Sequence, residues 1–518
     1  MIVSRRQFTL GALGAGALAS LPSMARAAST SAAYDYTARA TFDEFDRVFH
    51  QSGAAGQPGD TNEAGGLAWG QSYVLMGFVR MYEAYGDPHY LDRLVTNLDL
   101  ILANRDSVRG VTDHRGRSLP GWRAKAPYTV GLVTLKDAAG QDLVEIRTAR
   151  TYADNAVATV RAGTSADRFT LEVRNNRTNL VATFPDVSLD PAAPDYVVTR
   201  VLDAYPTPTL VTARELRTAP AAGAMPVLGE TPFVSQPVLF TVHTGMITYP
   251  MAAFARLVLR SRKLRSRRTY LNKAQQYLQA ARDAAAIHDE EWRQTDDGLG
   301  YFVWNKGTQL AYDGTEQPLN QGLALGQTYA ELAAATGDPF YADRARRMAR
   351  SFLNEVTADA DDAYVWSYWP KNGKLYNGYA KTDGVSEYTP SSVPVRSVED
   401  LSHAAIDVEF AAAVHRHGLF FQDVDMARFA RTYSRNLVAP PGPDGIATAY
   451  LRVDGTGSTT TPGQYLQAPR WMPVAPWDPT VFTHSLSIYD GRAVQPTQGS
   501  QVGCVAYLNW FARRRKRS

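Results

Sequence analysis

Cysteine is almost absent from this 518-residue sequence, which contains a single one, Cys504. One thiol cannot form an internal disulfide bond, and a zinc site of the kind that clustered cysteines build is excluded as well. The chain must therefore depend on a hydrophobic core, which its length can supply as one large core or two. Cys504 lies in an apolar run, so we expect it to pack rather than to react.

The sequence also lacks a large excess of charge of either sign. Its 54 lysines and arginines and 51 acidic residues give a net charge of +3, and Arg5, Arg6 and Arg26 account for all of it, since residues 1–27 contain no acidic residue. A nucleic-acid-binding protein would show a basic excess or stripe. The two short basic runs, 260–268 and 513–517, are typical of solvated surface. We therefore expect no nucleic-acid partner.

Several motifs of known chemistry are missing from the sequence. It has no EF-hand loop, no His-Glu-x-x-His, no phosphate-binding glycine loop and no Gly-x-Ser-x-Gly. These absences argue against the corresponding calcium sensors, zinc proteases, nucleotide-binding proteins and serine esterases. We predict no metal or cofactor, and a structural calcium ion is left open.

A long hydrophobic run that could anchor the chain in a membrane is missing too. After Arg5 and Arg6 comes a modestly apolar stretch that Gly11, Gly14 and Pro22 interrupt, followed by small residues at 25–27. A spanning helix would need about 20 strongly apolar residues. The segment resembles the twin-arginine export signals of bacteria. The resemblance implies a signal peptide over 1–27, export by the twin-arginine translocase, a periplasmic or extracellular location and no stable membrane anchor.

Apolar spacing divides the rest of the chain into three regions. Helical spacing is found in 34–123 and 238–512, most clearly over 41–50, 69–84, 90–104, 269–287, 322–335, 341–356 and 403–415. Between them, 124–235 alternates apolar and polar residues, as over 169–173 and near 128–134 and 197–201, with turn residues in between. We predict an antiparallel β domain at 124–235 inserted into a mainly α chain, with a basic tail at 513–518.

An internal repeat indicates how the helices are arranged. Residues 66–73 (GLAWGQSY) match 322–329 (GLALGQTY), and 86–93 (GDPHYLDR) match 337–344 (GDPFYADR). The unit is a helix, a Gly-Asp-Pro turn and a return helix, in which we expect the proline to stop the first helix. A single hairpin of this kind cannot bury its apolar face, so several must stack side by side.

Such hairpins, separated by aromatic loops, resemble the (α/α) toroid or six-hairpin carbohydrate-active enzymes. These include polysaccharide lyases, uronyl C5-epimerases, unsaturated-uronyl hydrolases and several glycosidases. The resemblance covers the helical regions and concerns architecture, since no family's catalytic set matches residue by residue. It implies a mainly α toroid with an inserted antiparallel β domain, and a sugar-binding cleft lined by the first residues of the inner helices.

The densest group of chemically active residues is at 397–410. Ser402 is predicted to cap a helix, which places Glu399 and Asp400 at its positive end. His403 and Asp407 are four residues apart, so a helix would put them on one face. A histidine beside a carboxylate can act as a general base or orient a substrate carboxylate. The alternative is a capped helix with one surface ion pair.

A second group is at 242–250, where the β domain rejoins the helices. His243 and Tyr249 are candidates for a proton-transfer pair, because a tyrosine with a lowered pKa can donate or accept a proton. The alternative for His243 is a buried histidine bonded to backbone.

The substrate-binding candidates combine amide and aromatic side chains with one arginine. Amide groups suit sugar hydroxyls or a carboxylate. The alternation over 364–370 is expected to put two aromatic rings on one face as a stacking platform. The full set is Trp69, Gln71, Asn320, Gln321, Trp366, Tyr368 and Arg396.

Two reactions fit these residues. Lyases and C5-epimerases abstract the proton beside a uronate carboxylate, which requires a group that neutralises the carboxylate and a His or Tyr base. We predict this chemistry first, on a polysaccharide or oligosaccharide containing uronate. Glycoside hydrolases need two carboxylates with separated pKa values, which Glu399, Asp400 and Asp407 could supply with Glu316 opposite. A glycan-binding protein without activity is the third reading.

Overall fold

The computed structural model describes residues 34–220 and 223–516. The predicted signal peptide at 1–27 lies outside the described residues, as do the last two residues of the basic tail. Within them the chain is mainly α, as predicted. None of the described helices is both long enough and apolar enough to cross a membrane.

The helices carry most of the structure and include every segment predicted from helical spacing. They are α1 Arg39–Gln51, α2 Ser72–Tyr85, α3 Pro88–Ala103, α4 Asp106–Arg109, α5 Val197–Asp203, α6 Thr241–Arg260, α7 Arg262–Arg265, α8 Arg268–Ala286, α9 Leu319–Thr336, α10 Pro339–Glu355, α11 Lys374–Asn377, α12 Leu401–Arg416, α13 Asp423–Arg431, α14 Pro462–Tyr465, α15 Thr480–Arg492 and α16 Gly499–Arg515. A π turn, Leu67–Gln71, leads into α2, and a 3-10 segment, Ala468–Val474, lies between α14 and α15.

The two copies of the repeat form helical hairpins, α2 with α3 and α9 with α10. The first helix of each ends at a glycine in the left-handed region, Gly86 (φ 68°) or Gly337 (φ 76°), where a side chain would be strained. Asp87 and Asp338 then cap the second helix by accepting hydrogen bonds from backbone N–H groups. The prolines are the first residues of the second helices. Our expectation that proline stops the first helix is therefore wrong, because the glycine ends it.

Six of the described elements pack on one another in a closed order, and we call them the inner elements. Helix α2 packs on α6, α6 on α9, α9 on α12, α12 on the 468–474 segment, that segment on α16, and α16 on α2. Neighbouring inner helices are parallel, since their successive contacts advance in the same direction along both chains. Gly245 meets Ala324 and Thr248 meets Thr328, and Gly499 meets Gly70 where Gly503 meets Tyr73. The amino-terminal ends of the inner elements therefore share one side of the molecule.

Glycine permits the closest of these helix contacts. A Cβ atom on Gly245 of α6 would lie 2.3 Å from the backbone of α9 at Ala324 and Leu325. The close approach of α6 and α9 thus needs a residue without a side chain at this position.

The β region consists of two antiparallel four-stranded sheets that share one hydrophobic core. Their strands are β1 Gly131–Lys136, β2 Asp142–Thr148, β3 Ala156–Ala162, β4 Arg168–Asn175, β5 Leu180–Ser188, β6 Val211–Glu215, β7 Gly229–Pro232 and β8 Val234–Ser235, in the orders β6-β2-β1-β8 and β5-β4-β3-β7. In the central pairs, Val133 of β1 faces Ile146 of β2, and Val160 of β3 faces Leu171 of β4. The backbones of Ala124 and Val238 exchange two hydrogen bonds where this region joins the helices.

One predicted strand in this region is wrong. Residues 197–201 form part of α5, which packs against β5 and β6. Tertiary packing overrides the preference of valine for strands there, because Val197 and Val201, four residues apart, point into the core of the β region. Three small two-stranded sheets occur in the loops of the helical part: β9 Trp292–Gln294 with β10 Gly300–Phe302, β11 Thr357–Ala358 with β12 Tyr364–Val365, and β13 Val438–Ala439 with β14 Thr448–Ala449.

Candidate active site

Three carboxyl groups and a histidine lie at the start of α12: Glu399 and Asp400 directly precede the helix, His403 is in its first turn and Asp407 in its second. Asp400 is its N-cap and accepts hydrogen bonds from the backbone N–H groups of Ser402 and His403, both at 3.0 Å. The prediction that Ser402 caps this helix is wrong, because Asp400 stands two residues earlier with a side chain that reaches both amides. The Ser402 hydroxyl also donates to Asp400.

His403 is held by Asp400 rather than by Asp407. Its Nδ1 atom lies 2.6 Å from Oδ2 of Asp400 and 3.9 Å from Oε1 of Glu399. Among the described residues no group forms a hydrogen bond with its Nε2 atom. The ring thus has one nitrogen fixed by a carboxylate and the other available, which is the arrangement of a histidine oriented for acid–base work. The predicted pairing of His403 with Asp407 is not formed.

Glu399 and Asp407 are carboxylic acids with no exposed surface. Oε1 of Glu399 accepts from the backbone N–H of Asp400, and Oδ2 of Asp407 accepts from the indole N–H of Trp366. The other oxygen of each, Oε2 and Oδ1, has no partner within the part of the chain that the structure describes. Burial, and after it the charges of Asp407 and Asp400, raise the pKa of Glu399 well above its ordinary value. Burial likewise raises the pKa of Asp407. Both carboxyl groups therefore keep their protons to a higher pH than an ordinary carboxyl group does.

Asp400 is shifted in the opposite direction. Burial alone would raise its pKa, but the charge of His403 and the hydrogen bonds from His403 and Ser402 lower the pKa of Asp400 below its ordinary value. Asp400 and His403 keep 17% and 8% of their side chains exposed, in contrast to Glu399. The site thus places a carboxyl group with a lowered pKa towards solvent and two buried carboxyl groups with raised pKa values behind it.

The two aromatic residues of the predicted stacking platform are both buried. Trp366 packs edge-on against Phe352 and Phe429 and is 2% exposed, so its faces are not available to a sugar. Tyr368 is 4% exposed and its ring contacts His403. The structure does not form the platform. Alternating residues share one face of an extended segment, but that face can be covered by other side chains as easily as it can be exposed. Both residues instead form walls of the carboxylate site.

Amide side chains surround the amino-terminal ends of the inner elements. Gln71 is fully buried and neither atom of its amide has a partner, and one oxygen is unpartnered in each of Gln317, Asn320, Gln321 and Gln467. Gln321 hydrogen-bonds to Tyr368, which links α9 to the site on α12. Buried polar atoms in proteins nearly always have partners, so this concentration of free oxygens indicates a place built for water or a hydroxyl-rich ligand.

His243 and Tyr249 do not form the predicted pair. Nδ1 of His243 bonds to the amide of Asn62 at 3.0 Å, and burial lowers the pKa of His243 to about 3. The hydroxyl of Tyr249 donates to Glu409 at 2.5 Å, and burial, followed by the charge of Glu409, raises the pKa of Tyr249 well above its ordinary value. Each residue has its own partner on another element, and neither shift favours the role of a base near neutral pH.

The remaining candidates from the sequence are Trp69, Arg396 and Glu316, and their contacts are with residues other than His403. Trp69 is half-buried and its ring meets His243 edge-on, at 5.4 Å between ring centroids. Arg396 is exposed and its guanidinium lies over the ring of Tyr376. Glu316 accepts a hydrogen bond from the backbone N–H of Lys374 at 2.8 Å. Among the described residues no hydrogen bond or ion pair joins Arg396 or Glu316 to His403.

Sequence reasoning missed Arg470 and Asn62. Arg470 donates to the carbonyl oxygen of Ser402 at 2.9 Å, and its guanidinium lies 4.6 Å from the ring centroid of Tyr73. It comes from the 468–474 segment, whose sequence has no periodic pattern that points to an inner position. Asn62 lies in the loop before α2, and only its contacts reveal its importance.

The same group is where a metal ion could bind. One ligand atom from each of Glu399, Asp400 and His403 lies within 4.8 Å of the others. However, Nδ1 of His403 already bonds to Asp400, and three N–H or O–H groups of Ser402 and His403 occupy the other Asp400 oxygen. A cation would have to displace the Asp400–His403 bond, so the donor set as it stands does not fit one.

No protein-family model and no curated protein matches this chain. A crystal structure of a family 76 glycoside hydrolase from a bovine Bacteroides thetaiotaomicron strain resembles it at 8% sequence identity. The match covers 74% of this chain and 99% of that chain, with a TM-score of 0.29. A TM-score this low does not establish a shared fold.

Proposed function

We propose that the inner and outer helices form an (α/α) toroid. The support is the closed order of packing from α2 through α6, α9, α12, the 468–474 segment and α16 back to α2. Outer helices α3, α8 and α10 pack on inner helices α2, α6 and α9. In such an arrangement the amino-terminal ends of the inner elements meet around one opening, where the carboxylates of α12 lie.

We further propose that the protein is an enzyme that hydrolyses glycosidic bonds at the start of α12. The observation that carries this proposal is the opposite environment of neighbouring carboxyl groups. Glu399 and Asp407 are buried, each with one oxygen that has no partner among the described residues, and their pKa values are raised. Asp400 is held by His403 and Ser402, and its pKa is lowered. Carboxyl groups whose pKa values are driven apart are the acid and base that glycoside hydrolysis requires. Uronate elimination or epimerisation, our first prediction from sequence, becomes the second candidate.

The reaction needs one proton donor and one proton acceptor. The proton held by the Glu399–Asp407 pair passes to the glycosidic oxygen as the bond to the anomeric carbon breaks. The Asp400–His403 pair accepts a proton, at Nε2 of His403, from the water that attacks that carbon, and Asp400 keeps the ring oriented through Nδ1. The result is a new reducing end and a free hydroxyl group, after which the carboxyl pair regains a proton from water and His403 releases one.

An uncharged glycan suits the site better than a polyuronate. Three carboxyl groups stand at the start of α12, and the nearby arginine, Arg470, is already bonded to the carbonyl oxygen of Ser402. A substrate carboxylate would add a like charge to this group. The unpartnered amide oxygens at the same ends of the helices accept hydrogen bonds, which sugar hydroxyls can donate.

We also propose that the protein acts outside the cytoplasm. The support is the resemblance of residues 1–27 to a twin-arginine signal, which would direct a folded enzyme to a compartment where polysaccharide is found. No calcium or other cofactor is needed for the acid–base chemistry proposed here.

One observation favours the second candidate. The Asp400–His403 contact at 2.6 Å, with Nε2 of His403 unpaired, is also suited to abstracting a proton beside a uronate carboxylate. Tyr249 and His243, the other bases expected from sequence, have partners elsewhere. An eliminating enzyme would therefore depend on His403 alone.

Incubation with polysaccharides distinguishes these reactions. We expect new reducing ends from neutral glycans without ultraviolet absorbance from unsaturated ends. Glu399→Gln and Asp400→Asn should each lower kcat/KM by about 10²- to 10⁴-fold, the usual contribution of a general acid or base. Asp423→Asn, an exposed carboxylate at the start of α13, is the matched control and should leave the rate unchanged.

Other outcomes point elsewhere. Absorbance from unsaturated ends on polyuronates, lost in His403→Ala, would replace hydrolysis by elimination. Uptake of solvent deuterium into an uncleaved polymer would indicate epimerisation. If no glycan is cleaved, eliminated or exchanged while oligosaccharides still bind, the protein is a glycan-binding protein without activity.

A further inference from the structure

His243 stands on α6 at the same end of the inner helices as the carboxylate site, but with different surroundings. It is the third residue of α6 and is 1% exposed. The rings of Trp69, Tyr128 and Phe240 surround it, with centroids 5.4, 5.1 and 5.3 Å from its own. Its only hydrogen-bonding partner among the described residues is Asn62.

The contacts of Asn62 determine which way its amide points. Oδ1 of Asn62 accepts from the backbone N–H of Ala68 at 3.1 Å, and Nδ2 donates to the carbonyl oxygen of Trp122 at 3.3 Å. Reversing the amide would set oxygen against carbonyl oxygen and nitrogen against N–H. The atom of Asn62 that faces His243 is therefore the NH₂ nitrogen, a donor.

A donor opposite Nδ1 determines the tautomer of the histidine. Nδ1 must accept the hydrogen bond, so the ring hydrogen is on Nε2. The positive end of α6 also disfavours a charged ring, and no side chain caps that end at Phe240. Burial acts in the same direction. The Nε2–H group has no acceptor among the described residues, so it can donate to an oxygen of a ligand.

We propose that His243 is a substrate-binding residue that presents its Nε2–H group to an oxygen of a neutral sugar lying beside Trp69 and Tyr128, with Asn62 as the positioning residue that fixes the tautomer. This proposal rests on the proposed function, since it names a binding contact for the same glycan. It reverses the role expected from sequence, because a histidine that already holds its Nε2 hydrogen and cannot take up another is no base. Trp69 and Tyr128 are half-buried and would contact the sugar with their apolar surfaces.

The tautomer can be measured without any assumption about the substrate. The full chain, labelled with ¹⁵N in histidine, should show one ring with an acceptor-type Nδ1 and a protonated Nε2 that does not titrate between pH 5 and pH 8. Loss of that signal in His243→Gln assigns it, and His243→Asn serves if the first variant does not fold. A His243 signal that titrates in this range, or a protonated Nδ1, would overturn the proposal.

Binding of neutral oligosaccharides tests the contact itself. With manno-, xylo-, cello- and maltohexaose as probes, His243→Phe should weaken binding of the preferred probe by about 3- to 10-fold, the value of one hydrogen bond to an uncharged group. His243→Gln, which keeps an N–H donor, should recover most of the loss. Asn62→Asp should move the ring hydrogen to Nδ1 and weaken binding as His243→Phe does.

The two proposals fail in different ways. If the wild type binds none of these probes and cleaves no glycan, the proposed function fails and this inference with it. If the wild type binds or cleaves a probe and His243→Phe does so equally well, only the inference about His243 is wrong.

Discussion

The two ends of the inner helices carry different kinds of buried polar side chain. Towards the carboxyl ends, charges of opposite sign meet in pairs: Arg80 with Glu83 and Glu409, Arg256 with Glu83 and Glu331, and Arg416 with Glu331. At the amino-terminal ends, by contrast, Glu399, Asp407 and several amides have oxygen atoms without partners. The buried charges at the carboxyl ends are thus paired with one another, whereas buried oxygen atoms at the amino-terminal ends have no partner among the described residues.

This difference separates stability from function. A buried polar atom without a partner costs about 1–3 kcal/mol, so a structure optimised for stability alone would not collect them in one place. A substrate or ordered water can satisfy such atoms, and the cost is then recovered when the ligand binds. At the paired end the acidic groups all have cationic partners, and Nε of Arg80 is left without a partner among the described residues.

Breaking the paired end should have the largest effect on stability. Glu331 is fully buried and receives hydrogen bonds from Arg256, Arg416 and His417. Glu331→Gln should lower the free energy of unfolding by about 3–5 kcal/mol, because it leaves buried cations without their counter-charge. Urea denaturation followed by circular dichroism measures this.

The control for that change is a pair at the surface. Asp343→Asn removes the partner of Arg347 in an exposed pair at 2.7 Å and should change stability little. If Glu331→Gln is as mild as Asp343→Asn, the carboxyl ends of the inner helices are not held together by their charges.

The same substitution of glutamate by glutamine at the amino-terminal ends should raise the free energy of unfolding instead of lowering it. Burial and nearby carboxylates raise the pKa of Glu399, so the folded protein binds its proton more tightly than the unfolded chain does. The stability from this group is fully present below the unfolded pKa of about 4.3 and falls as the pH rises towards the folded pKa. Glu399→Gln keeps the shape without the titration and should stabilise the protein at pH 7 by about 1–3 kcal/mol.

The pH dependence identifies the cause. The gain from Glu399→Gln should grow between pH 4.5 and pH 7 and be small at the lower value, measured by urea denaturation at each pH. Activity should be lost at every pH. A variant that is destabilised at pH 7 would show that Glu399 is ionised and paired in the folded protein, like Glu331.

The sequence supports prediction of the helices better than prediction of the site. Apolar spacing and the repeat locate the helices, because an amphipathic helix shows its buried face within a few turns. The β-branched residues at 197–201 predict a strand, which is wrong, because the neighbouring sequence does not show that this segment packs against β5 and β6. Local signals identify an element where neighbours in sequence decide its form.

Partners across elements explain the errors at the site. The sequence points to His403 because a helix start rich in acidic residues and histidine is a local pattern. Its bond to Asp400, however, depends on side-chain geometry, which sequence spacing does not give. Tyr249 bonds to Glu409, 160 residues further along the chain. Trp366 alternates as expected, but only packing shows that Phe352 and Phe429 cover it.

The smallest predicted effect compares the two copies of the repeat at one equivalent position. Gln327 donates from its amide to the carbonyl oxygen of Ile406 at 2.8 Å, whereas the matching Gln71 is equally buried and has no partner for either amide atom. Leucine has nearly the volume of glutamine. Gln327→Leu should therefore cost about 1 kcal/mol of unfolding free energy, and Gln71→Leu should cost nothing or stabilise slightly.

Kinetics complete the comparison, because only a residue kept for the ligand should matter to it. If Gln71 contributes to the glycan site, Gln71→Leu should raise KM for the substrate that the wild type cleaves, with kcat little changed, and Gln327→Leu should leave both constants near their original values. An equal loss of stability in the two variants, with no change in KM, would mean that Gln71 is satisfied by ordered water and serves the fold, as Gln327 does. The buried polar side chains at the two ends of the inner helices would then differ in charge, but both sets would contribute to stability and neither to substrate binding.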